Sequence, residues 1–306
     1  MRSDLFKKFT AVLMICSVFF FGQSAYGGES EKEAFSKGVA YGRKGNYGAA
    51  IKTFTKAIEL KPDFAEAYYN RGLAYYAKGK RDKALVDFNK ALEIKPVYGD
   101  AYFYRANIYD SKNDLDRALS DYAKVLEIMP GLAPAYSARG IIYSKKGDFD
   151  HALSDFSRSL DIRAASSSST DYYLRGKAYL SKNIFDKAIF DYNKAIELDP
   201  RNVDAYGDRG WAYQEAGNLK KAVLDDTKAI ELDPKYNWAY YDRALARFRL
   251  AEYKAALGDY EKAVNLNPKG APDAYQEFVK HESSPKDPRA GEAAQAIKDL
   301  LKSHRG

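Results

Sequence analysis

The side chains best suited to acid–base or metal chemistry are three histidines, and they are scattered along the chain. His151, His281 and His304 lie far apart, and no two of them have the short spacing with which proteins hold a metal ion. The serine run at residues 166–169 has no base nearby in the sequence, so it lacks the pattern of an activated nucleophile. We therefore expect no catalytic centre, no cofactor and no metal site.

The segment GRKGNYG, at residues 42–48, has the glycines of a phosphate-binding loop but not its context. Such a loop follows a β-strand and opens a helix, and this chain has no convincing strand pattern. Glycine readily ends a helix because it adopts the left-handed backbone conformation without cost. We therefore interpret these glycines as helix ends, and we do not expect the protein to be an enzyme.

A 34-residue unit recurs seven times between Glu31 and Gly270. Every twentieth residue of the unit is alanine, every eighth is glycine or alanine, and the first six units have tyrosine at the eleventh place. Proline closes six of the seven units, and a two-residue insertion between Arg163 and Asp171 interrupts the count. A fixed period of this length predicts a solenoid in which each unit packs on its neighbours.

Within one unit the pattern predicts two antiparallel helices. In the sixth unit, Tyr206, Gly210 and Tyr213 recur at helical spacing, and Gly217 ends this stretch. A second helical stripe follows and ends at Pro234. Small residues at the eighth and twentieth places allow close approach, and a large ring at the twenty-fourth place fills the space beside them. We therefore expect most of the 26 tyrosines to lie in the core.

These residues resemble the tetratricopeptide repeat family, whose unit is a 34-residue helix–turn–helix. The resemblance implies an all-α fold, a right-handed superhelical solenoid of seven helix-turn-helix repeats with a concave groove lined by the first helix of each unit. It also implies that the chain holds protein partners. The seven repeats span residues 31–64, 65–98, 99–132, 133–166, 169–202, 203–236 and 237–270.

Six units have arginine at the seventh place, where the family usually has leucine, and aspartate sixteen residues later. The arginines form either structural ion pairs or a basic ladder for an anionic ligand. Because the matched aspartates would neutralise a ladder, we favour ion pairs between the two helices or across to the next unit. The matched residues are Arg71 and Asp87, Arg105 and Asp121, Arg139 and Asp155, Arg175 and Asp191, Arg209 and Asp225, and Arg243 and Asp259.

By the resemblance, the second, fifth, ninth, twelfth and thirteenth residues of each unit face the groove. Both tryptophans of the chain fall on such places. Because tryptophan and tyrosine are over-represented at binding hot spots, we predict that aromatic residues here bind the partner; the alternative is that they only pack helix against helix. The predicted partner-binding residues are Tyr69, Tyr76, Phe103, Tyr173, Trp211, Trp238, Tyr241 and Phe248.

The sixth and seventh units depart from the pattern together. Asp226 stands where the other units have a large ring, and Arg247 stands where the first six have tyrosine. An unpaired charge within a helical interface is costly. We therefore expect Asp226 and Arg247 to face one another.

Residues 1–27 have the organisation of a secretory signal peptide. Basic residues precede the apolar run AVLMICSVFFFG, and small residues before Gly28 offer a cleavage site. The run is shorter than the ~20 residues that span a bilayer, although an uncleaved anchor is the alternative. Cleavage would remove the single cysteine, Cys16, and residues 28–30 would form a short mature N-terminus. We expect no membrane span in the mature chain. We expect an exported bacterial protein, periplasmic or secreted.

The net charge of +7 is not gathered into a basic stripe, so we expect no nucleic-acid partner.

Residues 271–306 do not follow the 34-residue repeat, and an apolar stripe that includes Ile297 predicts a last helix. We interpret these residues as C-terminal capping helices, with docking onto a partner or a second copy as the alternative. The sequence does not give the oligomeric state.

Three functions fit these patterns. The favoured one is a non-enzymatic scaffold in the bacterial cell envelope that holds a peptide or helical segment of a partner protein in its groove. The second is a small-ligand or glycan receptor that uses the same aromatic residues. The third is a targeting subunit that delivers a separate enzyme. The sequence names no partner.

Overall fold

The computed structural model describes residues 29–163, 168–267, 291–292 and 295–297. Between residues 29 and 267 the described chain forms fourteen α-helices and no β-strand, which confirms the all-α prediction. In chain order they are α1 (Glu31–Arg43), α2 (Tyr47–Leu60), α3 (Ala65–Ala77), α4 (Arg81–Ile94), α5 (Gly99–Ser111), α6 (Leu115–Ile128), α7 (Ala133–Lys145), α8 (Phe149–Arg163), α9 (Ser169–Ser181), α10 (Phe185–Leu198), α11 (Val203–Glu215), α12 (Leu219–Leu232), α13 (Asn237–Arg249) and α14 (Tyr253–Leu266).

Consecutive helices pack as hairpins, from α1 with α2 to α13 with α14. The fifteenth residue of every unit has a positive φ, which reverses the chain between the two helices. It is glycine in four units, but it is Asn113, Asn183 and Ala251 in the others. By its internal contacts the chain divides into two compact units, Met1–Ala135 and Tyr136–Gly306.

The predicted small-against-large packing is confirmed within the helix pairs. A Cβ atom added to Gly38 would lie 2.5 Å from the Phe54 ring, and one added to Gly176 would lie 2.8 Å from the Tyr192 ring. Both rings are fully buried. Glycine at the eighth place therefore lets the ring of the second helix lie directly against the backbone of the first.

The ion-pair interpretation of the six arginines is also confirmed. In each pair, Nε and Nη2 donate to the two carboxylate oxygens at 2.6–2.9 Å. Arg175 Nη1 also donates to Ser157 Oγ of the preceding unit, and Arg243 Nη1 donates to Thr227 Oγ1. Arg175 and Arg243 therefore connect the helices of their own unit and also bind the unit before it.

The predicted pairing of Asp226 with Arg247 is wrong. Arg247 lies one turn after Arg243 on α13, so it reaches the same carboxylate and donates from Nη1 to Asp259 Oδ2 at 2.6 Å. Asp226 is 0% exposed, and neither of its carboxylate oxygens accepts a hydrogen bond. It occupies the space beside Gly210 that an aromatic ring fills beside the corresponding glycine of other units.

The predicted signal peptide lies outside the described residues, as do residues 164–167 of the segment that holds the two-residue insertion and most of the C-terminal tail. Within the tail, Ile297 is buried in the hydrophobic cluster of the last repeat, together with Tyr260 and Val264. No helix in the described part of the chain is both long enough and apolar enough to span a membrane.

Candidate functional site

A cavity of about 600 Å³ opens between the first helices of the last three repeats, α9, α11 and α13. Half of its lining residues are aromatic: Tyr173, Trp211, Tyr236, Trp238, Tyr241 and Tyr260. The charged residues in its wall are Lys177, Asp204, Asp208 and Asp242. Gly207 and Leu245 complete the lining.

The repeat pattern explains why there is a cavity at this position. The fifth place of a unit holds an aromatic ring in five of the seven units, for example Tyr173 and Tyr241, but it holds Gly207 in the sixth. A Cβ atom added to Gly207 would lie 2.9 Å from the Tyr236 ring. The missing ring at position 207 therefore leaves space between α9 and α13, and Tyr236 lies against the glycine.

The aromatic part of the wall combines packed and accessible rings. Trp238 is 49% exposed, and its ring centroid lies 6.0 Å from that of Tyr241. Tyr241 is buried against Tyr260, and its hydroxyl has no hydrogen-bond partner. Trp211 is half-buried. The two tryptophans therefore remain accessible while the tyrosines beneath Trp238 hold its position.

The acidic part of the wall comes from the sixth place of two successive units. Asp208 and Asp242 occupy this place on α11 and α13, and Asp204 lies one turn before Asp208. Asp208 Oδ2 is buried and accepts no hydrogen bond. Burial raises the pKa of Asp208, and the nearby Lys177 and Tyr173 partly offset that rise.

Asp242 has the strongest perturbation among the carboxylates in the wall. Burial first, and then the nearby Asp208 carboxylate, raise its pKa to about 8. Burial also raises the pKa of Asp226 well above its ordinary value, and the neighbouring carboxylates of Asp242 and Asp225 add to this rise. Without a cation, this part of the molecule therefore keeps carboxyl groups protonated at a pH where aspartate is normally ionised.

We expect the free energy of unfolding to fall as the pH rises from about 4 to about 8. The pKa of Asp242 is raised from its ordinary 3.8 to about 8 in the folded chain, and that of Asp226 moves in the same direction. Between these values the folded state binds more protons than the unfolded state, so stability is lost with rising pH.

The substitution Asp242→Asn tests this expectation, because it removes one of the titrating groups. Chemical denaturation across this pH range should show a shallower pH dependence for the variant than for the unmodified chain. Identical slopes would contradict the assignment of the raised pKa to Asp242.

The structure brings four of the predicted partner-binding residues together at this cavity: Tyr173, Trp211, Trp238 and Tyr241. Two others are buried and lie outside the cavity lining. Tyr69 is 5% exposed and packs against Phe88, and Phe248 is 8% exposed and packs edge-on against Tyr253. Each ring faces the second helix of its own unit. Tyr241 is also 5% exposed and packs on Tyr260 in the same way, but it lines the cavity as well. The part of all three rings in partner binding stays a prediction.

The remaining two predicted residues lie in the first compact unit. Tyr76 and Phe103 are half-buried and pack against Tyr104, which lies between them. Their contacts are with neighbouring rings of the chain, and their part in partner binding stays a prediction.

The sequence pattern of groove places missed the sixth place of each unit, and with it Asp208 and Asp242. A signal was present, because only the last two units have aspartate there. The other five have residues without a common chemistry: Ser36, Asn70, Tyr104, Ala138 and Leu174. Gly207 was equally visible as an exception to the aromatic fifth place.

Within the described ranges, no group of three or more histidine, cysteine, aspartate or glutamate residues is arranged to hold a metal ion.

The repeated helix pairs place the chain among all-α helical-repeat proteins. Family models described as "TPR repeat" match residues 38–79 and 176–217. Models described as "Tetratricopeptide repeat" match residues 65–98, 99–132, 133–166, 203–236 and 239–269. The chain belongs to the tetratricopeptide repeat family.

Solved structures show the same fold. The C-terminal part of a TPR repeat-containing protein from Cytophaga hutchinsonii aligns with a TM-score of 0.63 at 21% identity, over 78% of this chain and 98% of that one. A tetratricopeptide repeat protein from Parabacteroides merdae aligns with a TM-score of 0.59 at 21% identity, over 91% of this chain and 100% of that one.

YrrB, described as a TPR protein with an unusual peptide-binding site, is similar at 27% identity with a TM-score of 0.53. The alignment covers 62% of this chain and 97% of YrrB. No curated protein matches the chain.

Proposed function

We propose that this protein is a non-enzymatic scaffold that holds an extended or helical segment of a partner protein in the cavity between α9, α11 and α13. The tetratricopeptide repeat fold is typical of protein-interaction scaffolds. The observation that carries the proposal is the accessible aromatic wall: both tryptophans of the chain line one cavity, and Trp238 is half exposed. Aromatic anchors in a concave site are typical of binding hot spots.

The likeness to YrrB supports a peptide as the occupant, because that protein is described as having a peptide-binding site. The proposed place of action is the bacterial cell envelope, periplasmic or extracellular, and it rests on the signal-like composition of residues 1–27. A glycan receptor would use the same rings for stacking, so the test must separate the two ligands.

Site-specific photo-crosslinking in intact cells tests the scaffold directly. A crosslinking amino acid, p-benzoylphenylalanine, replaces Trp238 in one variant and Phe190 in a matched control. Phe190 is also an exposed aromatic residue, at 57%, but it lies on α10 and outside the cavity lining. We expect a discrete protein adduct from position 238 and none from position 190, recovered in the envelope fraction.

The binding strength of the captured partner gives the quantitative prediction. Trp238→Ala should weaken its binding about tenfold or more, as expected for a hot-spot tryptophan, whereas Phe190→Ala should leave it unchanged. Equal adducts from both positions would contradict the proposed site. If oligosaccharides quench the tryptophan fluorescence and no protein adduct forms, the glycan receptor would replace the scaffold as the proposed function.

A further inference from the structure

We propose that the cavity binds a basic side chain, arginine in preference to lysine, that projects from the partner segment. This inference rests on the proposed function, because it names the chemistry by which the same cavity recognises its partner. The geometry that points to it is a set of aspartates beside two accessible indole rings.

The charges in the wall favour a cation. Three carboxylates, from Asp204, Asp208 and Asp242, line the cavity together with one ammonium group, that of Lys177. Lys177 Nζ already lies 5.5 Å from the centroid of the Tyr173 ring. The acidic side chains therefore outnumber the internal cation. Burial raises the pKa of Asp208 and of Asp242, and an incoming cation would favour their ionised forms. Asp208 Oδ2 also remains a buried acceptor without a donor.

In the described part of the chain, no lysine or arginine side chain lies over the ring of Trp211 or Trp238. Within the described residues, every lysine or arginine placed over a ring lies over tyrosine or phenylalanine, and none lies over Trp211 or Trp238. Tryptophan offers the best ring face for a cation, and a guanidinium also stacks on it through its flat surface. The accessible faces therefore suit an incoming arginine.

The chain itself shows what such a site looks like when it is filled. Arg209 places two nitrogens on the Asp225 carboxylate at 2.7 Å, and its guanidinium lies 5.5 Å from the Tyr206 ring and 5.9 Å from the Tyr213 ring. The cavity repeats this combination of carboxylate and ring without the arginine. The preference for arginine follows, because its planar fork matches both groups at once, whereas an ammonium matches only the charge.

Titration of the purified chain with short synthetic peptides tests the proposal. The probes are three capped pentapeptides that differ only in the central residue, which is arginine, lysine or the neutral isostere citrulline. The chain has only two tryptophans and both line the cavity, so their fluorescence reports on this site. We expect the arginine peptide to bind about tenfold more tightly than the citrulline peptide, with lysine between them.

Neutral variants locate the effect. Asp208→Asn and Asp242→Asn should each weaken binding of the arginine peptide by about tenfold and leave the citrulline peptide unchanged. Asp186→Asn, an exposed aspartate on α10, is the matched control and should change neither. Circular dichroism of each variant establishes that it is folded before binding is compared.

The outcomes separate this inference from the scaffold on which it rests. Equal binding of the arginine and citrulline peptides would contradict the proposal that the cavity recognises a basic side chain. An adduct at position 238 would then still support the scaffold function. A preference for arginine that survives both Asp208→Asn and Asp242→Asn also overturns it, because the cation would bind elsewhere. If no adduct forms at position 238, the proposed scaffold function itself is contradicted.

Discussion

Replacing Asp226 by phenylalanine is expected to stabilise the chain against unfolding by about 3 kcal/mol. The carboxyl group is 0% exposed and accepts no hydrogen bond, so its burial costs free energy in the folded state. A ring at the same place is fully buried against glycine in other units, for example Phe156 beside Gly140. The substitution should therefore remove a desolvated polar group and bury apolar surface in its place.

Chemical denaturation followed by tryptophan fluorescence measures the effect, because Trp211 and Trp238 belong to the two units that meet near Asp226. Asp226→Asn is the matched control. It keeps the size of the side chain and leaves a polar group without a partner, so it should give little of the gain. A destabilised Asp226→Phe variant would show that this space does not accept a ring.

Replacing Arg175 by alanine is expected to cost about 3–5 kcal/mol, because it leaves a buried carboxylate without its partner. Arg175 donates two hydrogen bonds to Asp191 and a third to Ser157 of the preceding unit. The Asp191 side chain is almost fully buried. Both the fifth unit and its attachment to the fourth should therefore be weakened, which hydrogen exchange of α8, α9 and α10 would resolve.

Two controls define the origin of this cost. The double substitution Arg175→Met with Asp191→Leu removes both charges, and it should recover most of the lost stability. Lys194→Ala breaks an exposed pair with Glu197 on α10, and it should cost much less than Arg175→Ala. If Arg175→Ala costs no more than Lys194→Ala, Arg175 is not a structural link between the fourth and fifth repeats.

The repeat pattern was sufficient to predict the helices, their packing and the arginine–aspartate pairs. These features depend on residues that repeat at one spacing, so each unit supports the interpretation of the next. The Gly176–Tyr192 and Arg175–Asp191 contacts follow directly from such places. The residues that could not be predicted are those that depend on neighbours outside the pattern. Arg247 pairs with Asp259 rather than Asp226, because α13 already directs Arg243 at that carboxylate.

The candidate site was predicted in part for the same reason. The resemblance assigned Tyr173, Trp211, Trp238 and Tyr241 to the groove, and the structure gathers these four residues around one cavity. It also assigned Tyr69 to that face, although Tyr69 packs against Phe88 within its own unit. Whether a ring at the fifth place packs or remains available depends on the side chains of the next helix, and the period carries no information about them.

The glycine at position 207 has a consequence for where such a hollow can form. Because the hollow arises where one unit omits a ring that most other units retain, exchanging a ring for glycine in a different unit would open a comparable recess there. A substitution of this kind would thus place a cavity in another unit while the repeat architecture stays unchanged, and it would be confined to a single repeat.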